Sequence, residues 1–390
     1  MIPYGRHHID ADDIAAVVDI LTGKPLTQGP MIEAFEAAVA DYVGARYAVA
    51  VSSGTAALHL AAMAADVGPG RCLVTSPITF VASANAALYC GGHVAFADVD
   101  PRSVNMSPEA LGATLLRHPE TSAIVPVHFG GLPCDMESIR DLARTSGARV
   151  IEDAAHALGA RHADGAQVGS CTHSDMTCFS FHPVKAIAAG EGGMITTNDP
   201  ALYRRLLRIR SHGINKLDDP FQLPEAATED GQPNPWYYEM QELGYHYRIT
   251  DIQCALALSQ MKKLDAFIAR RRTLASVYDA AFAGFSNLRP GQPDGRDRSG
   301  LHVYVLRIDF AAIGKSRGQV MRELRARGVG SQVHYIPVTI QPHYRKMGFV
   351  ASDCPAAMSY YEQALSIPLF FDLTDEQQAE VIAALRDVVG

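Results

Sequence analysis

The densest chemistry in this sequence lies between Val150 and Gly193. Val150-Ile151-Glu152-Asp153-Ala154-Ala155-His156 is an apolar run that delivers a carboxylate and then an imidazole at its end. Phe179-Ser180-Phe181-His182-Pro183-Val184-Lys185 follows, and then a glycine-rich turn, Gly190-Glu191-Gly192-Gly193. A lysine just after a strand and before a glycine turn is an amine with little around it to hinder attack on a carbonyl carbon. Upstream, Ser53-Gly54-Thr55 opens an Ala/Leu run directly after a β-branched one. Its hydroxyls and backbone N–H groups therefore meet at a helix start, which suits a phosphate. A flat ring, Phe80, stands in Thr79-Phe80-Val81-Ala82-Ser83. Each piece alone has an ordinary explanation: a cap, a turn carboxylate, a core ring. Their order and spacing together carry the inference.

Placing these groups requires strands that end side by side. Short β-branched or apolar runs at Tyr47–Val51, Arg71–Thr75, His93–Ala97, Ala123–Pro126, Arg149–Asp153, Met176–Ser180 and Gly193–Thr197 alternate with helical windows. The windows are Gly54–Ala65, Phe80–Tyr89, Ser107–Arg117 and Asp135–Ser146. This alternation predicts an α/β fold with a mainly parallel seven-stranded sheet between helices. Ligands of such sheets gather outside the carboxyl ends of the strands, where Asp153 and Ser180 fall. Asp218–Trp236 reads as a long polar surface loop, and Ile249–Ala283 as a helix whose Arg270-Arg271-Arg272 run is a solvated face. Pro290–Ser299 reads as a polar linker, His302–Phe310 as a strand of a second sheet, and Gln319–Arg327 and Gln377–Val388 as helices. The expected division is a large domain over 1–249 and a small α+β domain over 250–390.

The four groups match what a pyridoxal-phosphate enzyme requires. Lys185 would hold the aldehyde, and Asp153 would keep the pyridine nitrogen protonated. Ser53, Gly54, Thr55 and Ser180 would take the phosphate, and Phe80 would cover the ring. At this point the chain resembles the DegT/StrS-type sugar aminotransferases, within the fold-type I pyridoxal-phosphate class. The resemblance runs through Pro25-Leu26-Thr27-Gln28-Gly29-Pro30, Val51-Ser52-Ser53-Gly54-Thr55, Glu152-Asp153-Ala154-Ala155-His156 and Phe179–Lys185. It continues through Gly190–Gly193, Arg210-Ser211-His212-Gly213, Tyr247–Gln253 and Val333-His334-Tyr335. The resemblance implies that Lys185 is the Schiff-base lysine and that His156 joins Phe80 against the ring. It implies substrate contacts at Tyr4, at Lys24, Pro25, Leu26 and Thr27, and at Val333, His334, Tyr335 and Ile336. It further implies L-glutamate as amino donor, a nucleotide-linked keto sugar as acceptor, and a homodimer with shared active sites to which the His246 and His334 segments cross over. His246 stands where the family often has Asn, a side chain that reaches the neighbouring subunit's cofactor phosphate; a histidine still donates a hydrogen bond. Arg248 is a candidate for the donor carboxylate or a diphosphate, with a structural ion pair as its alternative. Ile2-Pro3-Tyr4, Phe181–Lys185 and Pro235-Trp236-Tyr237-Tyr238-Glu239 further resemble the members that aminate C4 of a UDP-linked 4-keto-6-deoxy-N-acetylhexosamine in pseudaminic acid biosynthesis. Relatives that aminate other keto sugars at C3 or C4 share much of this scaffold.

Composition bounds the alternatives. The 390 residues are 48% hydrophobic and 19% charged, as in an ordinary globular enzyme. A net charge of −8 argues against a protein that coats nucleic acid. No apolar run reaches the length of a membrane span, and Met1–Arg6 leads into no signal-peptide core. Seven scattered cysteines without a Cys-x-x-Cys pair suit free thiols in a reducing cytoplasm. The histidines form no His-Glu-x-x-His or similar cluster, His7-His8 shows no partner, and no metal site is expected. Gly314-Lys315-Ser316 lacks the upstream glycine of a P-loop and reads as a turn into a helix. No Gly-x-Gly-x-x-Gly supports a nicotinamide enzyme. Dehydratase relatives are expected to carry histidine in place of the lysine, so Lys185 favours transamination. A non-catalytic pyridoxal-phosphate-binding regulator remains as a reading of another class.

Overall fold

A strand buried on both faces needs apolar residues at nearly every position, and the segments that satisfy this are the ones that pair. The computed structural model describes residues 1–216 and 219–390. In it β1 (Tyr47–Val51), β2 (Cys72–Thr75), β3 (His93–Phe96), β4 (Thr121–Val125), β5 (Arg149–Asp153), β6 (Met176–Ser180) and β7 (Gly193–Thr197) form one sheet. Its order is β1-β7-β6-β5-β4-β2-β3. All neighbours are parallel except β7, which runs antiparallel to both β1 and β6. All seven expected strands are present. The α/β architecture with a mainly parallel sheet is the fold.

Helices cover both faces. On one lie α3 (Gly54–Ala64) and α4 (Ala82–Tyr89), whose Ala-rich faces pack with Val49, Val51, Leu73 and Ile151. On the other, α2 (Pro30–Val43) contributes Phe35 and Val39 to a cluster with Ala48, Ala50, Phe179 and Met194. Alternate residues of one strand thus feed opposite cores. A second, antiparallel sheet of Leu288–Pro290, Tyr304–Ile308 and Ala364–Ile367 packs on Arg317–Ala326 and Asp375–Val389. The start of the chain is stitched to this region: Ile2 N–H donates to Gly328 O (2.7 Å) and Gly330 N–H to Ile2 O (2.8 Å).

Several sequence expectations change. The span Ile249–Ala283 is two helices, Asp251–Met261 and Leu264–Phe282, broken at Lys262 and Lys263. The basic run in the second is not wholly a solvated face: Arg271 is buried and donates to the carbonyls of His302 (3.1 Å) and Leu369 (2.9 Å). That helix spans the two cores, with Leu264 and Ile268 in one and Leu274 and Tyr278 in the other. A charge on its inner face can therefore persist only by satisfying loop carbonyls. His8 also has a partner, Asp372, at 2.7 Å. Asp218 lies outside the described residues; within the remainder of its expected loop stand a helical turn, Pro224–Ala227, and a small hairpin, Thr228–Glu229 with Gln232–Pro233. The helices Ala11–Leu21, α2 and Pro200–Arg210 were not expected.

The end of β5 rests on a buried polar cluster. Glu152 is fully buried and accepts from His128 Nε2 (2.6 Å), Ser174 Oγ (2.5 Å) and Thr177 Oγ1 (3.0 Å). The Cys134 N–H donates to His128 Nδ1 (3.1 Å), which leaves the imidazole proton on Nε2, facing Glu152. Burial opposes the Glu152 charge, but hydrogen bonding with His128 and Ser174 outweighs it and holds the carboxyl down at about 2. Glu152→Gln would aim an amide N–H₂ at one of these donors, so we expect a loss of about 1–3 kcal/mol in denaturant unfolding. The sign with pH follows: the folded value lies below the ordinary 4.5, so this contribution is present above that pH and is lost as pH falls through about 2. Acid titration of stability should show this component in the natural protein and not in the variant.

Candidate active site

Asp153 is the last residue of β5, and its carboxylate is fixed from two sides. Ser83 Oγ donates to Oδ2 (2.6 Å), and the Ala155 N–H donates to Oδ1 (3.1 Å). Thr79 Oγ1 shares a further hydrogen bond with Ser83 Oγ (2.7 Å). The turn that carries Phe80 is therefore closed by Thr79 and Ser83 and anchored to Asp153 through Ser83. The Phe80 ring itself is 60% exposed, a flat apolar face without cover.

Lys185 follows β6 in a turn closed by its own N–H to His182 O (2.8 Å). Burial of its amine drives the pKa from 10.5 down to about 8, while the Asp153 charge pulls the other way. Around it stand imidazoles that burial keeps neutral. His334 is pushed to about 4 by burial, with Lys185 adding to the shift. His156 and His302 are driven well below their ordinary range by the same causes. Their rings lie 4.2 Å apart, and His156 Nε2 shares a 3.0 Å hydrogen bond with the Tyr335 hydroxyl. Tyr4 reaches this group from the start of the chain, its ring 5.5 Å from that of His334. Val333 is half-buried and Ile336 exposed on the same loop.

The anion cradle is built from close backbone approach. Ser53 caps α3 by accepting from the Ala56 N–H (3.1 Å). A Cβ at Gly54 would stand 2.8 Å from that of Ser180, and one at Gly193 would stand 2.4 Å from Ser53 O. Glycine at both positions lets the helix start close on the ends of β6 and β7. Thr55 and Ser180 line the same junction, half-buried. A carboxylate, a neutral-leaning amine and a hydroxyl-rich helix start at adjacent strand ends fit pyridoxal phosphate.

The remaining predicted residues form a second group. Thr27 pairs with Thr250, Leu26 O accepts from the Asp251 N–H (3.0 Å), and Asp251 accepts from the Gly29 and Met31 N–H groups. Pro25 is carried with this segment, and Lys24 is ion-paired to Asp19. His246 is exposed, pairs with Ser211, and accepts from Arg248 Nη2 at 2.9 Å. Among the described residues Arg248 has no carboxylate partner. The Ser52 N–H to Tyr247 O bond (2.8 Å) ties this group to the cradle. Sequence reasoning missed Thr79, Ser83 and His302. The spacing of Thr79 and Ser83, one helical turn apart around Phe80, was a usable signal; His302 comes from a distant loop just before the strand Tyr304–Ile308 and had none.

The chain belongs to the DegT/DnrJ/EryC1/StrS aminotransferase family, which it matches over residues 7–386. It is 38% identical over 390 residues to the spore coat polysaccharide biosynthesis protein SpsC of Bacillus subtilis, covering all of this chain and 97% of that protein. Its structure superposes on Helicobacter pylori PseC, an aminotransferase involved in pseudaminic acid biosynthesis, with TM-score 0.88 at 28% identity, covering 100% and 99% of the two chains. It superposes on the PMP-form of Spr1654 from Streptococcus pneumoniae with TM-score 0.89 at 26% identity, covering 100% and 99%. The protein is a pyridoxal-phosphate-dependent sugar aminotransferase.

Two outcomes follow from the geometry. With an amine near 8, about half of Lys185 is neutral at pH 8, against less than about 1% for an ordinary lysine. Because the folded pKa is lowered, the rate at which the cofactor-free protein takes up pyridoxal phosphate should climb as pH rises through about 8, followed by stopped-flow absorbance. Ser83→Ala removes a bond to a charged acceptor, roughly 1.5–3 kcal/mol, and should lower kcat by about tenfold or more with little change in KM for the donor.

Proposed function

We propose that this protein transfers the amino group of L-glutamate to C4 of a UDP-linked 4-keto-6-deoxy-N-acetylhexosamine, the transamination of pseudaminic acid biosynthesis. The observation that carries the transfer chemistry is the convergence of Lys185, Asp153 and the Ser53–Thr55 cradle at adjacent strand ends. The sugar assignment is supported by the full-length likeness to PseC and by the amino-terminal Ile2-Pro3-Tyr4, which lies against the His334 loop.

Bound pyridoxal phosphate supplies an aldehyde and a ring that withdraws electrons. Asp153 would meet the ring nitrogen, its carboxylate held in place by Ser83 and the Ala155 N–H. Lys185 Nζ, desolvated and part neutral, takes the proton from the α-carbon of glutamate and later returns one to the sugar carbon. Ser53, Gly54, Thr55 and Ser180 would hold the phosphate, and Phe80 and His156 would lie against the ring. Tyr4 and Val333–Ile336 border the sugar, Lys24–Thr27 border its nucleotide, and Arg248 holds an anionic group. In sum, the keto oxygen is exchanged for an amino group and a hydrogen, and glutamate leaves as 2-oxoglutarate.

The protein works as a homodimer with shared sites, in a reducing cytoplasm. Trp236, Tyr238, Met240 and Leu243 are each more than half exposed, and they supply the apolar surface that a subunit would cover. The His246 segment is the one that crosses, whereas the His334 loop stands beside Lys185 of its own subunit. All seven cysteines are free, and no helix among the described residues is long and apolar enough to cross a membrane.

Mass spectrometry of a reaction with the UDP-4-keto sugar and L-glutamate should show a UDP-amino sugar and an equal amount of 2-oxoglutarate. A UDP-sugar left unchanged while another nucleotide keto sugar is aminated would reassign the substrate. Lys185→Ala should lower kcat by about a thousandfold or more. Sedimentation at working concentration should give a dimer; a fully active monomer would rule out the shared site.

A further inference from the structure

At the opposite edge of the large sheet, three parallel strands begin beside one another. Cys72 is the first residue of β2, His93 the first of β3, and Glu120 directly precedes β4. Cys72 pairs in register with His93 on one side and Thr121 on the other. The register slips between Cys72 and Leu73, where β4 carries an extra residue. Such bulges re-aim a side chain at the end of a pairing. His118 sits in the preceding turn, which is closed by the Thr121 hydroxyl donating to His118 O (2.6 Å).

The result is a convergence of four ligand types. His93 Nε2 and His118 Nδ1 both lie on one oxygen, Glu120 Oε1, at 2.7 and 3.2 Å. One ligand atom from each of Cys72, His93, His118 and Glu120 falls within 4.8 Å of the others. The thiol is fully buried, while the His93, His118 and Glu120 side chains are 44, 32 and 33% exposed, which gives an ion a way in. We propose that Cys72, His93, His118 and Glu120 bind one zinc ion.

A tetrahedral zinc with bonds of roughly 2.0–2.3 Å would draw the widest of these separations in by about an ångström and open the 2.7 Å contact of His93 with Glu120. Sulfur and imidazole select zinc over calcium or magnesium, which prefer oxygen shells. The thiol gives up its proton on binding, so thiolate and carboxylate together balance the two charges of the ion. The site would clamp the edge strand β3 to β2 and β4. It lies at the amino ends of the strands, whereas Lys185 and Asp153 lie beyond the carboxyl ends, so the ion takes no part in aminotransfer.

The test uses the holoenzyme, stripped by a chelator, desalted and titrated with zinc, with metal counted by mass spectrometry. One zinc retained per chain is expected. Loss of a ligand in Cys72→Ser or His118→Ala should weaken binding beyond the roughly hundredfold that loss of a mere supporting partner costs. His118→Ala lies on a turn and keeps the test valid where Cys72→Ser disturbs folding. Cobalt in place of zinc should give the intense visible bands of a tetrahedral site, and aminotransferase activity should be unchanged in His118→Ala. Zinc that is not retained, zinc held equally by His118→Ala, or only the weak bands of six-coordinate cobalt would each overturn the proposal.

Discussion

Two carboxylates side by side at the end of one buried strand are the constraint on which this structure turns. Adjacent residues of a strand face opposite ways, so Glu152 and Asp153 each need a separate set of donors in a nearly dry sheet. Glu152 takes its set from His128, Ser174 and Thr177. Asp153 takes Ser83 and the Ala155 N–H. The first set belongs to the scaffold: it fixes how far β5 reaches and pins the loop after β4. The second turns that fixed strand end into a charge of known direction. An unpaired carboxylate here would cost more than most domains have to spare, so the two networks specify the fold and the site together.

The amine of Lys185 depends on what surrounds that charge. Its neighbours His156, His302 and His334 are imidazoles kept neutral by burial, and Asp153 alone favours the ammonium form. Desolvation wins, and a lysine that would be cationic in water becomes a usable base near neutral pH. The site is thus assembled from both sheets: the carboxylate and amine come from the large one, while His302 and the His334–Tyr335 loop belong to the part of the chain that carries the second.

Much of this was legible in the residues. Lys185, Asp153 and Ser53–Thr55 mark strand and helix ends through local patterns, and the seven apolar runs pair as their burial requires. What escaped notice depends on tertiary contact. Arg271 looks solvated in a basic run, yet it turns inward because loop carbonyls from another segment await it. The break at Lys262 and Lys263 divides a stretch that local periodicity reads as one helix. Cys72, His93, His118 and Glu120 form no motif along the chain, so spacing alone predicts no metal site; they meet because three strands start at one level.

The central claim is that Lys185 holds pyridoxal phosphate and passes amino groups from glutamate to a keto sugar. The absorbance spectrum of the purified holoenzyme tests it most directly. A visible band from the lysine-bound cofactor, lost to the near-ultraviolet on adding L-glutamate and restored by the UDP-4-keto sugar, is the predicted result. A protein that shows no such band after incubation with pyridoxal phosphate, or a band that glutamate leaves untouched, would contradict the account.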